Sequence, residues 1–191
     1  MAATEASERW QAFDEQGQPT QQRLTKQQAR TGLLHGAAHV WIWRNTEKGV
    51  EVLLQQRADD KKTWPGYLDI SAAGHIDFGE TPLQAAVREA AEEIGLTVNP
   101  QDLQLLFVHR ARLQVPDTEI MENELQWVFG LKLSADHDLS YADGEVQAAD
   151  WIRLEDMDLL IDGEADMRIV PHGNAYFISL LAQLEHHISA A

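Results

Sequence analysis

Three glutamates lie close together near the middle of the chain. Glu89, Glu92 and Glu93 stand at positions i, i+3 and i+4, so in a helix their carboxylates occupy neighbouring positions on one face. Like charges at this spacing destabilise an isolated helix by roughly 0.2–0.5 kcal/mol per pair. A divalent cation would remove that repulsion, and Mg²⁺ and Mn²⁺ prefer oxygen ligands. The alternative is an acidic face that is simply solvated and binds no ligand.

The helix that carries these glutamates has recognisable ends. Thr81 can cap it, Pro82 suits the first helical position, and Gln84 completes a capping box. Gly95 provides the stop, so we predict a helix over Pro82–Ile94. Its apolar stripe consists of Leu83, Val87, Ala90 and Ile94. This spacing predicts that the stripe faces the core and that the glutamates lie on the opposite, solvent-facing side.

Residues before and after the glutamates extend the pattern. Gly74 is followed by Glu80, then by Arg88-Glu89, Glu92-Glu93 and Gly95-Leu96. This array resembles the Nudix box, a loop-helix-loop motif. Only Ala90 departs from it, where the family usually has a bulkier aliphatic residue. The resemblance implies a Nudix-type hydrolase that uses Mg²⁺ or Mn²⁺ to cleave a diphosphate linkage in a small metabolite.

The resemblance also implies a role for each box residue. The metal ligands would be Glu89, Glu92, Glu93 and the backbone carbonyl of Gly74. Glu80 would help to hold metal-bound water, and Arg88 would orient a glutamate through a salt bridge. The residue that accepts the proton varies within the family, and we assign that role to Glu92. Glu92, Glu80 and Arg88 are therefore the expected catalytic residues.

A locally basic segment precedes the box. Arg57 and Lys61 lie just before a Trp-Pro-Gly turn, in a chain with a formal net charge of -16. Either they solvate an exposed loop, or they bind phosphate oxygens, which suit both guanidinium and ammonium groups. The segment resembles the isopentenyl-diphosphate isomerase branch of the Nudix superfamily. That resemblance implies that both residues hold the substrate diphosphate.

The likeness to the isomerase branch extends over about residues 34–133. It implies an additional metal site formed by His35, His75, Glu122 and Glu124. For each histidine a structural role is an equal alternative. The isomerase requires a catalytic cysteine immediately before Gly74, where this sequence has Ala73. We therefore expect a hydrolase rather than an isomerase, and the remaining alternative is a non-catalytic Nudix domain that senses a nucleotide.

Composition limits the classes of partner. Fifteen basic residues against 31 acidic ones disfavour binding to nucleic acid or to an anionic membrane surface. The chain has no cysteine, which excludes disulfides and thiolate metal sites. No stretch reaches the ~18 apolar residues of a membrane span. We expect a cytoplasmic protein that binds a small-molecule diphosphate and neither nucleic acid nor membrane.

The rest of the sequence predicts the elements that position these residues. Residues 1–30 are polar, with a turn at 14–17, and indicate an N-terminal arm or hairpin outside the core. Residues 31–191 would form the Nudix hydrolase domain. Strands are predicted at residues 36–44, 50–57, 103–114, 125–133 and 147–154. Besides the box helix, we predict helices at residues 155–161 and 174–188. These elements interleave, so we predict an α/β fold, an α/β/α sandwich with a mixed β-sheet.

Several placements follow from this assignment. The first two strands should pair as a hairpin, and Trp41 and Trp43 should pack in the core. His172 should lie on a helix surface or in solvent. The N-terminal arm has the composition to add a strand to a neighbouring subunit. A homodimer and a monomer are therefore equally open.

Overall fold

Two long parallel strands form the centre of the sheet. In the computed structural model, which describes residues 8–61, 63–134, 139 and 146–189, β3 (His35–Thr46) runs parallel to β8 (Met121–Leu133). β7 (Gln104–Gln114) is antiparallel to β8. On the other side, β4 (Gly49–Arg57) pairs with β3, and β9 (Val146–Arg153) pairs with β4, both antiparallel. The mixed sheet and the β3–β4 hairpin are therefore confirmed.

β3 and β4 separate part-way along their length, and two short strands fill the gap. These strands are β5 (Leu68–Asp69), which pairs with β4, and β6 (Ala72–His75), which pairs with β3. Ser71 lies at the separation, where its hydroxyl accepts a hydrogen bond from the Ile42 amide (2.9 Å) and donates one to the Leu53 carbonyl (2.6 Å). The sequence did not predict β5 and β6, because strands of two and four residues carry no resolvable periodicity.

Helices cover both faces of the sheet. Besides the short α1 (Lys26–Ala29), α2 (Pro82–Ile94) packs on one face against a core that contains Val40, Ile42 and Leu53. α3 (Met157–Ile161) and α4 (Asn174–Ser189) pack on the other face, against Trp41 and Trp43. The three-layer α/β/α sandwich is confirmed, as is the burial of both tryptophans. No helix within the described ranges is long and apolar enough to span a membrane.

The bounds of the box helix agree with the prediction. α2 begins with the capping box of Thr81 and Gln84 and ends at Gly95, which has a φ of 67°. Elsewhere the bounds differ modestly. β8 starts four residues earlier than predicted, and residues 154–156 form a 3₁₀ turn before α3. A second 3₁₀ turn spans Pro100–Asp102.

The face that α2 turns to the sheet differs from the prediction. Its buried residues are Ala85, Ala86, Glu89, Ala90, Glu93 and Ile94. Leu83 and Val87 are only partly buried. The solvent-facing position expected for Glu89 and Glu93 was therefore wrong. The alanines allow a close approach to the sheet, and the two carboxylates find polar partners there.

The N-terminal residues form a hairpin that packs onto the rest of the chain. β1 (Trp10–Phe13) pairs with β2 (Pro19–Leu24), and β1 also pairs with β3 through Ala12 and His35. Trp10 is 3% exposed, and Phe13 joins the core on the α2 face. The expectation that this segment lies outside the core was wrong for these two residues, because β1 extends the sheet of its own chain. The domain division at residue 30 and a homodimer stay predictions.

Candidate active site

The box begins where Gly74 faces Glu89. Gly74 lies in β6 and pairs with Ala38, which fixes its backbone in the sheet. A Cβ atom at Gly74 would overlap the carboxylate of Glu89, so only glycine leaves room for that carboxylate. Glu89 therefore packs directly against the backbone of Gly74, and the structure brings these two expected metal ligands together.

Arg88 connects the other box residues. Its guanidinium donates to Glu80 (3.0 and 3.1 Å), Glu89 (2.6 Å), Glu92 (3.1 Å) and the carbonyl oxygen of His75 (2.9 Å). Burial alone would lower the pKa of Arg88, but the carboxylates of Glu80 and Glu89 raise it above its usual value. One cation thus holds three carboxylates, and the group keeps an excess of negative charge.

Glu93 lies in a different environment from Glu92. Glu93 is 7% exposed, and its Oε2 accepts hydrogen bonds from the side-chain amide of Gln55 (3.1 Å) and from the backbone N–H of Ala73 (2.9 Å). The side chain of Glu92 is 61% exposed and contacts Arg88. Gln55 was not among the residues predicted from the sequence, although a glutamine that directly follows a buried apolar run is a signal for such a role.

A second group of ligand-type side chains lies across β3, β6 and β8. One ligand atom each of His35, His75 and Glu124 lies within 4.8 Å of the others. Oε1 of Glu124 is 3.3 Å from Nε2 of His75 and 3.5 Å from Nε2 of His35. Glu122 approaches the same His35 nitrogen to 3.9 Å. Parallel pairing of β3 with β8 places His35 directly opposite Glu124, which explains why residues so distant in sequence meet.

The chemistry of this second group suits a divalent cation. Nε2 of His35 and Oε2 of Glu122 are buried without a normal hydrogen bond among the described residues, although both take part in the ionic contacts of this group. Burial would raise the pKa of Glu124, but His35 and His75 hold it well below its usual value. Burial and the adjacent Glu124 raise the pKa of Glu122. An ionised carboxylate beside two imidazoles is a donor set that first-row divalent metals accept.

The two histidines of this group differ in basicity. Burial lowers the pKa of His75 despite the nearby Glu124. Burial acts in the same direction on His35, but its interaction with Glu124 outweighs this and raises the pKa.

The box carboxylates and the histidine group lie on opposite sides of β6. Adjacent residues of a strand point to opposite faces, so Gly74 faces Glu89 while the side chain of His75 points to the other face.

The arginine expected to bind diphosphate already has partners in its own chain. Arg57 donates to Oδ2 of Asp69 (2.8 Å) and to the carbonyl oxygen of Thr63 (3.1 and 3.2 Å). Lys61 lies in the loop that Arg57 braces in this way. The other carboxylate oxygen of Asp69 is 3.0 Å from Nε2 of His172. The expected solvent position of His172 was therefore wrong, since its side chain is only 12% exposed.

Asp69 is a buried acid that the sequence analysis missed, although a single aspartate between Leu68 and Ile70 requires a partner. Burial would raise its pKa, but the hydrogen bond with His172 and the charge of Arg57 lower it from 3.8 to about 2. Such a group stabilises the fold above its unfolded pKa, and this contribution is lost as the pH falls towards the folded value.

We expect Asp69→Asn to lower the free energy of unfolding by about 2 kcal/mol at pH 7. The difference in free energy of unfolding between the variant and wild type should shrink as the pH falls from about 4 towards 2, because Asp69 itself then becomes neutral. Urea unfolding at pH 7 and thermal melts down the acid range measure both effects. Asp158→Asn, at an exposed position of α3, is the control. Equal stability of Asp69→Asn and wild type at pH 7 would contradict this interpretation.

Comparison with known sequences agrees with the motif. Residues 33–172 match the NUDIX domain family. Nudix hydrolase 3 of Arabidopsis thaliana is 41% identical over 100 residues, which are 52% of this chain and 13% of that protein. The Nudix hydrolase lmo0368 of Listeria monocytogenes is 32% identical over 80% of this chain and 84% of that protein. An isopentenyl-diphosphate Delta-isomerase of Escherichia coli is 34% identical over 74% of this chain and 75% of that enzyme.

Solved structures show the same architecture. DR0079 from Deinococcus radiodurans superposes with a TM-score of 0.63 at 19% identity, covering 90% of this chain and 97% of that one. A binary complex of a Caenorhabditis elegans Ap4A hydrolase gives a TM-score of 0.54 at 25% identity, covering 82% and 98%. Because the family match spans most of the chain and the sandwich is shared, this chain belongs to the Nudix family.

Proposed function

We propose that the protein hydrolyses a diphosphate linkage in a small metabolite and depends on Mg²⁺ or Mn²⁺. The observation that carries this proposal is the complete box, with Glu89 seated against Gly74 and Glu93 fixed by Gln55 and Ala73. These oxygen ligands suit hard divalent cations. When bound there, such a cation would polarise the diphosphate oxygens and lower the pKa of an attacking water.

The remaining box residues are assigned to orientation and proton transfer. Arg88 keeps the carboxylate of Glu89 directed towards Gly74 and binds Glu80 at the same time. The carboxylate of Glu80 accepts a hydrogen bond from the backbone N–H of Asp77 (3.1 Å). This bond keeps the carboxylate near the N-terminus of α2, where it would hold metal-bound water. Glu92 is the most exposed of the helix carboxylates and is the proposed proton acceptor.

The histidine group is proposed as a second cation site. His35, His75 and Glu124 would bind the ion, and Glu122 would complete the set through its unpartnered oxygen. Mixed imidazole and carboxylate ligands accept Mn²⁺, as well as harder and softer divalent metals. This site faces the opposite side of β6 from Glu89, so its ligand atoms are separate from those of the box.

Isomerisation of isopentenyl diphosphate is the alternative suggested by one of the relatives. The residue immediately before Gly74 is Ala73, whose methyl group cannot transfer a proton. Its backbone N–H donates to the box residue Glu93 instead. These features favour hydrolysis. A sensing domain without catalysis is disfavoured because none of the box glutamates is missing.

A screen for diphosphate hydrolysis tests the proposal and narrows the substrate. The panel comprises nucleoside di- and triphosphates, diadenosine tetraphosphate, isoprenyl diphosphates and thiamine diphosphate, each with Mg²⁺, with Mn²⁺ and with EDTA. The products are separated by ion-exchange chromatography, because depending on the linkage cleaved they are phosphate, pyrophosphate or two nucleotides. We expect metal-dependent hydrolysis of at least one class, and no migration of the double bond of isopentenyl diphosphate by proton NMR. Binding without hydrolysis across the panel would support a sensing domain and sink the hydrolase proposal.

We expect Arg57→Ala to raise KM for the diphosphate by about tenfold with little change in kcat, because it would remove a phosphate contact that is equally strong in the ground state and in the transition state. Since Arg57 also binds Asp69 and Thr63, the variant should be less stable as well. Asp69→Asn disturbs the same brace without removing the guanidinium, so it is the matched control. If both variants lose stability and KM stays unchanged in both, Arg57 is structural and not a diphosphate ligand.

A further inference from the structure

The N-terminal hairpin is hydrogen-bonded to the segment that joins β6 to α2. The backbone N–H of Gln11 donates to the carbonyl oxygen of Ile76 (2.8 Å), and the backbone N–H of Phe78 donates to the carbonyl oxygen of Arg9 (2.7 Å). The backbone of β1 therefore pairs with residues 76–78, which belong to the loop between β6 and α2 (the box loop). The hairpin belongs to the framework of the site, although it lies before the segment that matches the family.

Trp10 of this hairpin lies flat on one of the candidate metal ligands. The ring centroids of Trp10 and His75 are 3.5 Å apart, and their planes differ by 9°. The His35 ring lies 5.4 Å from Trp10 at 23°. Trp10 is almost completely buried. An imidazole binds a metal in its ring plane, through the nitrogen that faces Glu124 here, so stacking on its face and coordination at its edge are compatible.

We propose that Trp10 is a positioning residue of the group formed by His35, His75 and Glu124, and that its indole face strengthens the hold of this group on a divalent cation. The inference rests on the second cation site of the proposed function. An imidazole that ligates a cation becomes electron-poor, and the negative face of an indole attracts such a ring. The stacked indole also restricts rotation of the His75 ring, so less conformational entropy is lost on binding.

Two substitutions separate the effect of the aromatic face from that of packing. Trp10→Leu keeps an apolar side chain and removes the face, whereas Trp10→Phe keeps a weaker one. Mn²⁺ is titrated into the 191-residue protein, and binding is measured by calorimetry and by electron paramagnetic resonance of the free ion. We expect the Kd of this site to rise about tenfold in Trp10→Leu and about threefold in Trp10→Phe. Gln21→Ala, exposed on β2, should bind as wild type does.

A His75→Ala titration shows which binding phase belongs to this group. If His75→Ala removes a phase that Trp10→Leu leaves at wild-type affinity, the role of Trp10 is overturned while the second site stands. If His75→Ala binds as wild type does, the second site falls, and the role of Trp10 with it. Equal weakening by leucine and phenylalanine would show packing alone and would also overturn the proposal. Diphosphate hydrolysis by wild type, assayed separately, reports on the hydrolase proposal.

Hydrogen exchange of the wild-type protein provides a test that does not depend on the folding of a variant. If Trp10 and the cation stabilise each other, binding at His75 must stabilise the docked hairpin by the same coupling free energy. We therefore expect saturating Mn²⁺ to slow exchange of the backbone amides of Gln11 and Phe78, about tenfold under conditions in which reclosing is faster than exchange, so that the rate reports the opening equilibrium. Unchanged exchange at those amides would overturn the proposal.

Discussion

Gly74→Ala is expected to reduce metal-dependent turnover by about a hundredfold or more while leaving the fold intact. The added Cβ would occupy the space of the Glu89 carboxylate. That carboxylate is the end of a flexible side chain and can rotate away, so the free energy of unfolding should change by only about 1 kcal/mol. Turnover is affected more than stability, because the carboxylate of Glu89 moves away from Gly74 and is no longer positioned to bind the metal.

The rate of substrate hydrolysis, the Mn²⁺ affinity of the box and a thermal melt measure the three parts of this prediction. Gly163→Ala is the contrasting control. Gly163 is exposed, has a φ of 74° and has nothing near its missing Cβ. Alanine is strained there, so this variant should lose about 1 kcal/mol of stability and keep its turnover. Full turnover in Gly74→Ala would show that Glu89 does not need its place beside Gly74.

Glu93→Gln is the second substitution with a large expected effect, a loss of turnover of about 10²–10³-fold. The amide oxygen of glutamine can still accept from Gln55 and Ala73, so both buried donors remain satisfied. The negative charge is lost, and the remaining amide group presents N–H donors, which cannot ligate a cation. The free energy of unfolding should change by no more than about 1 kcal/mol.

Turnover and Mn²⁺ affinity of Glu93→Gln are compared with those of Glu185→Gln, which removes one charge from an exposed position of α4. Wild-type turnover in the Glu93 variant would refute the mechanism centred on the box. A large loss of stability would instead show that Glu93 is mainly a buried structural acid. The two outcomes are separated by measuring turnover at a temperature at which the variant is fully folded.

The two candidate centres differ in how far the sequence reveals them. The box is local: its glutamates, Arg88 and the helix caps fall within one loop-helix-loop, so their spacing can be read from the sequence and carries the family resemblance that implies their roles. The histidine group is not local. Its members come from three strands, and the parallel register of β3 and β8 that places His35 beside Glu124 cannot be read from periodicity. Only the family resemblance indicated those residues.

The N-terminal hairpin shows the limit of composition as a guide. Residues 1–30 are polar, and a polar segment is expected outside the core. Alternation along β1 nevertheless places Trp10 over His75, and the register with the box loop is set by backbone hydrogen bonds that any residue can make. The sequence of such a strand therefore does not indicate which distant segment it pairs with.

By itself, the sequence determined the family and the bounds of the carboxylate helix, because the motif and the caps depend on local spacing. The metal-binding roles were implied by the family resemblance and stay proposals. Only the tertiary structure decided where each carboxylate lies. Gly74 makes room for Glu89, Gln55 and Ala73 bind the buried Glu93, and Asp69 binds Arg57 and His172. Burial and hydrogen-bond partners arise from segments far apart in sequence, whereas periodicity reports only on neighbours within a few turns.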